Sequence, residues 1–406
     1  MKCRHCGAQD FIPFVDLGSS PPSNAYLDRD DAAGERSYPL QVYTCRRCWL
    51  VQTKDFVDRE SMFSADYAYA SSVSQSWLAH AARYVESVSE RFGLGAGSRV
   101  VEIAANDGYL LQYVAAKGIP CFGIEPTHST AALARAKGIE IIEDFFGTAL
   151  GRQLAREERS ADLVVSNNVL AHVPDINDFV AGIAHLLKSS GVATFEFPHL
   201  VKLVAQAQFD TIYHEHYSYL SFSAVSRILE HNGLAAFDVE RLETHGGSLR
   251  VYAQRAGGPQ AVMPTVAEMQ ASEIAAGVES EAFYLSFQAK ADRVRDALMA
   301  FLREANSRGE SVGAYGAAAK GNTLLNYAGA GRDLVAYVAD RNPAKIGKFL
   351  PGNRIPVVQE QNLKSQRPRW VLILPWNLQS EIMAQLSYIR EWGGQFVVAV
   401  PELKIL

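Results

Sequence analysis

The chain holds 406 residues, 48% of them apolar and 20% charged, and 39 basic against 44 acidic side chains leave a formal net charge of −5. At roughly 100–200 residues per domain this length predicts two to four domains, and the composition excludes disorder, a collagen-like fibre and a small disulfide scaffold. No apolar stretch reaches the roughly 18–20 residues of a spanning helix, no run of like charges offers a nucleic-acid footprint, and residues 1–6 lack a signal-peptide core, so the reading is a cytoplasmic enzyme with neither membrane nor nucleic acid as partner.

The chain opens on a metal signature. Of its five cysteines, four form the pairs Cys3/Cys6 and Cys45/Cys48, leaving Cys121 alone in an apolar run. A two-residue gap lets both thiolates of a turn face one point, and two such turns complete a tetrahedral site with Zn–S bonds of about 2.3 Å. Gly7 suits the tight turn that follows the first pair. Disulfides are the weaker alternative in a reducing compartment. Four thiolates leave no open position, so the metal is structural; zinc is the expected ion, and spacing alone does not separate it from iron. Residues 17–24 hold a glycine and two prolines and read as a loop. Residues 1–66 are therefore expected to form a small, loop-rich, metal-stapled domain.

Residues 77–91 place Leu78, Ala81, Ala82, Val85 and Val88 at helical spacing, which predicts a helix with one buried face. Strands are expected at 98–104, 121–125, 139–143, 161–166, 192–197 and 250–254, with helices at 109–117 and 129–137 between the early ones. That alternation predicts a Rossmann-like, parallel, doubly wound sheet over 67–255. Residues 256–259 read as a linker and 265–306 as one or two long helices. Strands at 311–316, 334–340, 370–375 and 395–400 then predict a second α/β domain over 256–406.

Open parallel sheets bind ligands at the carboxyl ends of their strands. The loop after the first strand carries Glu102, Asn106, Asp107 and Gly108 and lacks the G-x-G-x-x-G spacing of a dinucleotide site. At the end of the second strand, Glu125 can accept hydrogen bonds from both hydroxyls of a ribose. Asp144 offers an acceptor to an adenine amino group and Phe145 a ring to stack on the base. Asn167 and His172 follow the fourth strand. This ordered set resembles the S-adenosylmethionine-dependent methyltransferase fold, whose cofactor carries a nucleoside without phosphate.

Residues 209–220 are dense in titratable groups, above all Tyr213, His214, Glu215 and His216. A histidine can take a proton near neutral pH, a carboxylate can orient it, and a phenol can donate to an oxyanion. A second metal site is the alternative. If the segment is a strand, only His214 and His216 share a face.

The two cysteine knuckles, Asn106-Asp107-Gly108, Tyr213-His214-Glu215-His216 and residues 315–322 together resemble the nucleotide-sugar C-methyltransferases. The resemblance implies a three-domain zinc enzyme that uses S-adenosylmethionine, releases S-adenosylhomocysteine, and methylates a 4-keto-deoxyhexose, commonly linked to thymidine diphosphate. Carbon 3 is the favoured position and carbon 5 the alternative. It further implies His216 as general base and Tyr213 and Glu215 as substrate-positioning groups, and it matches His172 and Tyr67 to other active-site positions. In the C-terminal domain, small residues around Tyr315 would let a nucleoside diphosphate approach, Lys320 would offset its charge, and His245 would line the same cleft. A nicotinamide-dependent sugar oxidoreductase is the competing enzyme reading, and a zinc-ribbon adaptor the competing non-enzyme one. Oligomeric state is left open.

Overall fold

The computed structural model describes residues 1–28, 34–54 and 71–406. An antiparallel sheet opens the chain, with strands β1 (Phe11–Ser20), β2 (Tyr38–Cys45) and β3 (Val51–Thr53). Residues 17–20, expected as a loop, continue β1. Register shifts between Pro13 and Val15 and between Asp16 and Ser19 absorb Gly18, whose φ is +75°, and keep Leu17 and Ser20 inward.

The central sheet collects β4 (Val100–Ile103), β5 (Cys121–Ile124), β6 (Glu140–Ile142), β7 (Ala161–Asn167) and β8 (Leu187–Pro198) in parallel. Strand β9 (Ser218–Tyr219) lies elsewhere, and β10 (Leu234–Leu242) and β11 (Ser248–Arg255) close this sheet as an antiparallel pair. The order is β10-β11-β8-β7-β4-β5-β6. Leu163, Val164 and Val165 are buried on both faces, as a helix-covered parallel sheet requires.

The long helical stretch divides into Pro264–Ala276, Glu281–Leu285 and Phe287–Ser307. Gly277, at φ +90°, ends the first of these. The last sheet holds β12 (Val312–Tyr315), β13 (Val338–Asp340), β14 (Val357–Gln359), β15 (Trp370–Ile373), β16 (Gln395–Val398) and β17 (Lys404–Ile405), ordered β14-β13-β12-β15-β16-β17. Only β17 runs antiparallel in it. Among the described residues no helix is long and apolar enough to cross a membrane.

Sheet membership does not follow chain order. β9 leaves the central region and pairs with β3, Val51 opposite Tyr219 and Gln52 opposite Ser218. The N-terminal sheet also packs on the helices of the C-terminal third: Phe14 stacks on Phe287 at 4.5 Å and Trp49 on Tyr284 at 5.7 Å. Both belong to one apolar core with β12, β15 and β16, whereas Cys3, Cys45 and Cys48 side with the core of the central sheet. Phe287→Ala, which deletes a ring with 0% exposure, is expected to cost about 3–5 kcal/mol. Far-UV and tryptophan probes of denaturant unfolding should shift together, and an N-terminal sheet that melts separately would refute the shared core.

Candidate active site and metal centre

The first cysteine knuckle is a turn closed by Gly7 N–H donating to Cys3 O at 3.0 Å and Cys3 N–H donating to Ala8 O at 2.8 Å. The second is closed by Trp49 N–H to Cys45 O at 2.9 Å. Together they bring Cys3 Sγ to 3.4 Å from Cys48 Sγ and Cys6 Sγ to 3.6 Å from Cys45 Sγ, with all four sulfurs within 4.8 Å. A tetrahedral zinc with bonds of about 2.3 Å needs sulfurs about 3.8 Å apart, so the donor set and its spacing fit a closed structural zinc site. Gln52 Nε2 donates to Cys3 Sγ at 3.3 Å, a second contact that favours thiolate.

Among the described residues this is the one cluster of cysteine, histidine and carboxylate groups that could hold a metal. His214 and His216 do not share a face, because residues 213–216 form a turn and not a strand. His214 Nε2 lies 3.2 Å from Tyr38 O, and His216 Nδ1 lies 2.9 Å from Thr211 O.

A cavity of about 420 Å³ runs between the carboxyl ends of the central and C-terminal sheets. Its central-sheet end is lined by Asn106, Glu125, Asp144, Phe145 and Asn167. Glu125 is clamped by two backbone donors, Asn106 N–H at 2.9 Å and Thr127 N–H at 3.0 Å. Asn167 Oδ1 and both side-chain polar atoms of Asn168 are buried with no hydrogen-bond partner among the described residues. Such groups call for a polar ligand, and both asparagines line the cavity.

Three of the residues expected to bind cofactor stand behind this surface. Asp107 Oδ2 accepts Ser72 N–H at 3.1 Å. Gly108, at φ +73°, lies where a Cβ would come 3.2 Å from Ala134 Cβ. Glu102 is 1% exposed, absent from the cavity lining and bonded to Tyr109, and burial pushes its carboxyl well above the usual range. These residues shape the loop, while Ala104, Asn106 and Tyr109 line the cavity.

His172, Tyr213, Glu215, His216 and His245 meet at mid-cavity. The His216 ring sits 4.0 Å from that of Tyr213 and 4.5 Å from that of His172. Burial and then the His172 ring hold His216 well below 6.5, and Lys320 and His245 add to the effect. Burial likewise lowers His172 and His245 to about 4. All three rings are neutral at neutral pH. With Nδ1 donating to Thr211 O, His216 keeps Nε2 as its basic nitrogen.

The C-terminal end of the cavity is lined by Ala318, Ala319, Lys320, Lys345 and Asn377. Lys320 Nζ donates to Asn377 Oδ1 at 2.7 Å and lies 5.0 Å from the Trp376 ring centroid, while Trp376 Nε1 donates to Asp210 Oδ2 at 2.7 Å. Burial lowers Lys320 and raises Asp210 to about 6. Gly246 makes room for this cluster, since a Cβ there would sit 2.4 Å from the Trp376 ring. Tyr315, expected at the substrate, is outside the lining, and its hydroxyl donates to Glu360 Oε2 at 3.1 Å. Tyr67 lies outside the described residues.

Asn24 and Lys345 are among the lining residues that the sequence does not mark. Asn24 Nδ2 donates to both oxygens of Glu215, at 2.9 and 2.8 Å. Lys345 Nζ donates to Ala317 O at 2.8 Å from a buried position. Each is a single polar residue in a turn, without a sequence pattern to mark it.

Family models match the chain in three consecutive stretches: "Putative zinc binding domain" over residues 3–63, "Methyltransferase domain" over 77–239 and "C-methyltransferase C-terminal domain" over 243–401. The C-methyltransferase NovU of Streptomyces niveus is 36% identical over 406 residues, 100% of this chain and 96% of its own. A ubiquinone biosynthesis O-methyltransferase of Hahella chejuensis is 28% identical over 106 residues, 26% of this chain and 44% of its own. Among solved structures, magnesium protoporphyrin IX methyltransferase from Synechocystis PCC 6803 with bound S-adenosylmethionine aligns at TM-score 0.37 and 16% identity, covering 50% of this chain and 100% of its own. The family matches and the four-cysteine cluster define a methyltransferase with a zinc-binding domain. Within that class, the chain belongs to the C-methyltransferase family.

Cys45→Ser is expected to abolish bound zinc, measured by atomic absorption, and to lower the melting temperature. A metal-free variant as stable and active as the parent would show that the knuckles need no ion.

Proposed function

We propose that the enzyme methylates a carbon alpha to the 4-keto group of a nucleotide-diphosphate deoxysugar. The observation that carries this reading is the enclosed His216, whose Nδ1 is committed to Thr211 O and whose Nε2 is left as base beside Tyr213 and Lys320. When bound, S-adenosylmethionine supplies a methyl group on a positively charged sulfur, already activated for attack. His216 Nε2 takes the proton from the sugar carbon, a contribution of about 10²–10⁴-fold in rate. Negative charge develops on the ketone oxygen, where the Tyr213 phenol and the Lys320 ammonium of the cavity lining would stabilise it. Held by Glu125, Asp144 and Phe145, the donor would supply its methyl to that carbanion, a C–C bond replacing the C–S bond, with S-adenosylhomocysteine as the product.

Glu125 suits the ribose of the donor, with Asp144 and Phe145 for its base. Glu215, held by Asn24, suits a sugar hydroxyl. Lys320, whose charge is felt at both His216 and His245, suits the ketone oxygen as well as the diphosphate. Lys345, beside the start of the helix Ala319–Ala328, is the better diphosphate counter-charge. Tyr67 joins the site on resemblance alone.

His216→Asn is expected to lower kcat by about 10²–10⁴-fold while the affinity for S-adenosylmethionine, measured by calorimetry, stays within about twofold. In deuterium oxide without the methyl donor, the parent should exchange one carbon-bound hydrogen of a 4-keto-6-deoxy nucleotide sugar. Label at carbon 3 matches the favoured position, and label at carbon 5 corrects it. No exchange with any such sugar would remove the base mechanism. Because His216 works neutral and its folded pKa lies well below 6.5, activity should persist as pH falls through 6.5 and fail only well below it. An acid limb centred at or above 6.5 in kcat/KM would contradict the assignment.

A further inference from the structure

We propose that the zinc knuckle sets the geometry of the reacting centre through Arg4, which makes Arg4 a positioning residue for His172 and His216. The inference rests on the reading of His216 as the base.

Arg4 is the first residue between Cys3 and Cys6, so a closed metal site fixes its backbone. Its N–H donates to Gln52 Oε1 at 3.0 Å, and the same amide donates from Nε2 to Cys3 Sγ. The guanidinium then forks. Nη1 donates to Pro174 O at 2.9 Å, two residues beyond His172, and Nη2 donates to Thr53 O at 3.2 Å. Thr53 in turn holds the other side of the centre: its Oγ1 donates to His216 O at 3.2 Å and its N–H to Tyr217 O at 3.0 Å. The Arg4 guanidinium lies 4.7 Å from the Tyr217 ring centroid, and Tyr217 N–H donates to Ala171 O at 2.8 Å, which closes the circuit.

The next knuckle residue reinforces the first arm. His5 Nδ1 lies 3.0 Å from Asn177 Oδ1, and Asn177 Nδ2 donates to His5 O at 2.8 Å. The loop that carries His172 and the segment that carries His216 are thus both hung from two residues inside one Cys-x-x-Cys turn. A planar fork can serve two carbonyls in different directions, whereas a lysine ammonium is a single compact point charge. A displacement of about 1 Å of a catalytic group costs on the order of 10²-fold in rate, so loss of this anchor is read in kcat before it is read in binding.

The test compares Arg4→Lys and Arg4→Ala holoenzymes with the parent. Both variants should retain zinc by atomic absorption and bind S-adenosylmethionine with unchanged affinity. Expected for Arg4→Ala is a kcat lower by at least about tenfold, a nucleotide-sugar KM within about twofold, and faster amide exchange confined to residues 171–177 and 216–219. Arg4→Lys should recover part of the loss. Parental kcat and exchange in Arg4→Ala would overturn the proposal, as would protection lost equally across β4 to β7. Should Arg4→Ala not fold, a zinc-retaining Arg4→Lys with parental kcat and parental exchange is enough to overturn it. If His216→Asn keeps full turnover, the base reading falls on that result; if His216→Asn is inactive while the Arg4 variants behave as parent, only the present proposal falls.

Discussion

The backbone of residues 211–220 is the part on which the rest of the molecule depends. Thr323 Oγ1 of the C-terminal domain donates to Ile212 O at 3.0 Å, Tyr217 N–H reaches the central domain at Ala171 O, and Ser218–Tyr219 pairs with β3 of the N-terminal sheet. A little further on, Leu200 N–H donates to Leu220 O at 2.9 Å. One short run of chain is therefore hydrogen-bonded to all three units, and its turn projects Tyr213, Glu215 and His216 into the cavity between them. These side chains are held in place through the docking of the units, which is how a site on irregular backbone gains the precision otherwise supplied by helices and strands.

Burial decides the charge state of that turn. His172, His216 and His245 lack a carboxylate strong enough to keep them protonated, so desolvation wins and the rings stay neutral. For the two lysines desolvation is opposed locally, by Asp210 at Lys320 and by Asp340 and Glu215 at Lys345. A chain of net charge −5 has no general attraction for a diphosphate. On the proposed reading the cations that would meet it are these two, which line the same cavity as the histidines.

Much of this arrangement could be read from the sequence, and the failures have physical causes. Val100–Ile103 and the apolar run in β7 stood out because both faces of those strands are covered. β10 escaped because a register shift between Ala236 and Asp238 breaks its alternation, and residues 17–20 were misread because their glycine sits at a bulge inside a strand. The four cysteines and the Tyr213 to His216 cluster were legible as dense local chemistry. Asn24 was not, since its partner Glu215 is 191 positions away. Tyr315 lies outside the cavity lining and bonds Glu360, whereas Ala318 and Lys320, beyond the turn at Gly316 (φ +87°), line it.

The two α/β sheets show no convincing sequence repeat, yet they build the same corner. At the end of β5, Glu125 accepts from Asn106 in the loop after β4 and from Thr127 two residues on. At the end of β13, Asp340 accepts from Ala317 in the loop after β12, at 2.6 Å, and from Asn342 two residues on, at 2.7 Å. In each case a carboxylate ties the first-strand loop to the second strand, at the carboxyl edge where open sheets receive ligands. Two rigid corners face each other across one cavity, and the least regular segment of the chain lies between them. A donor held at one corner and an acceptor held at the other would meet at that segment, so the chemistry can depend on a turn without inheriting a turn's freedom.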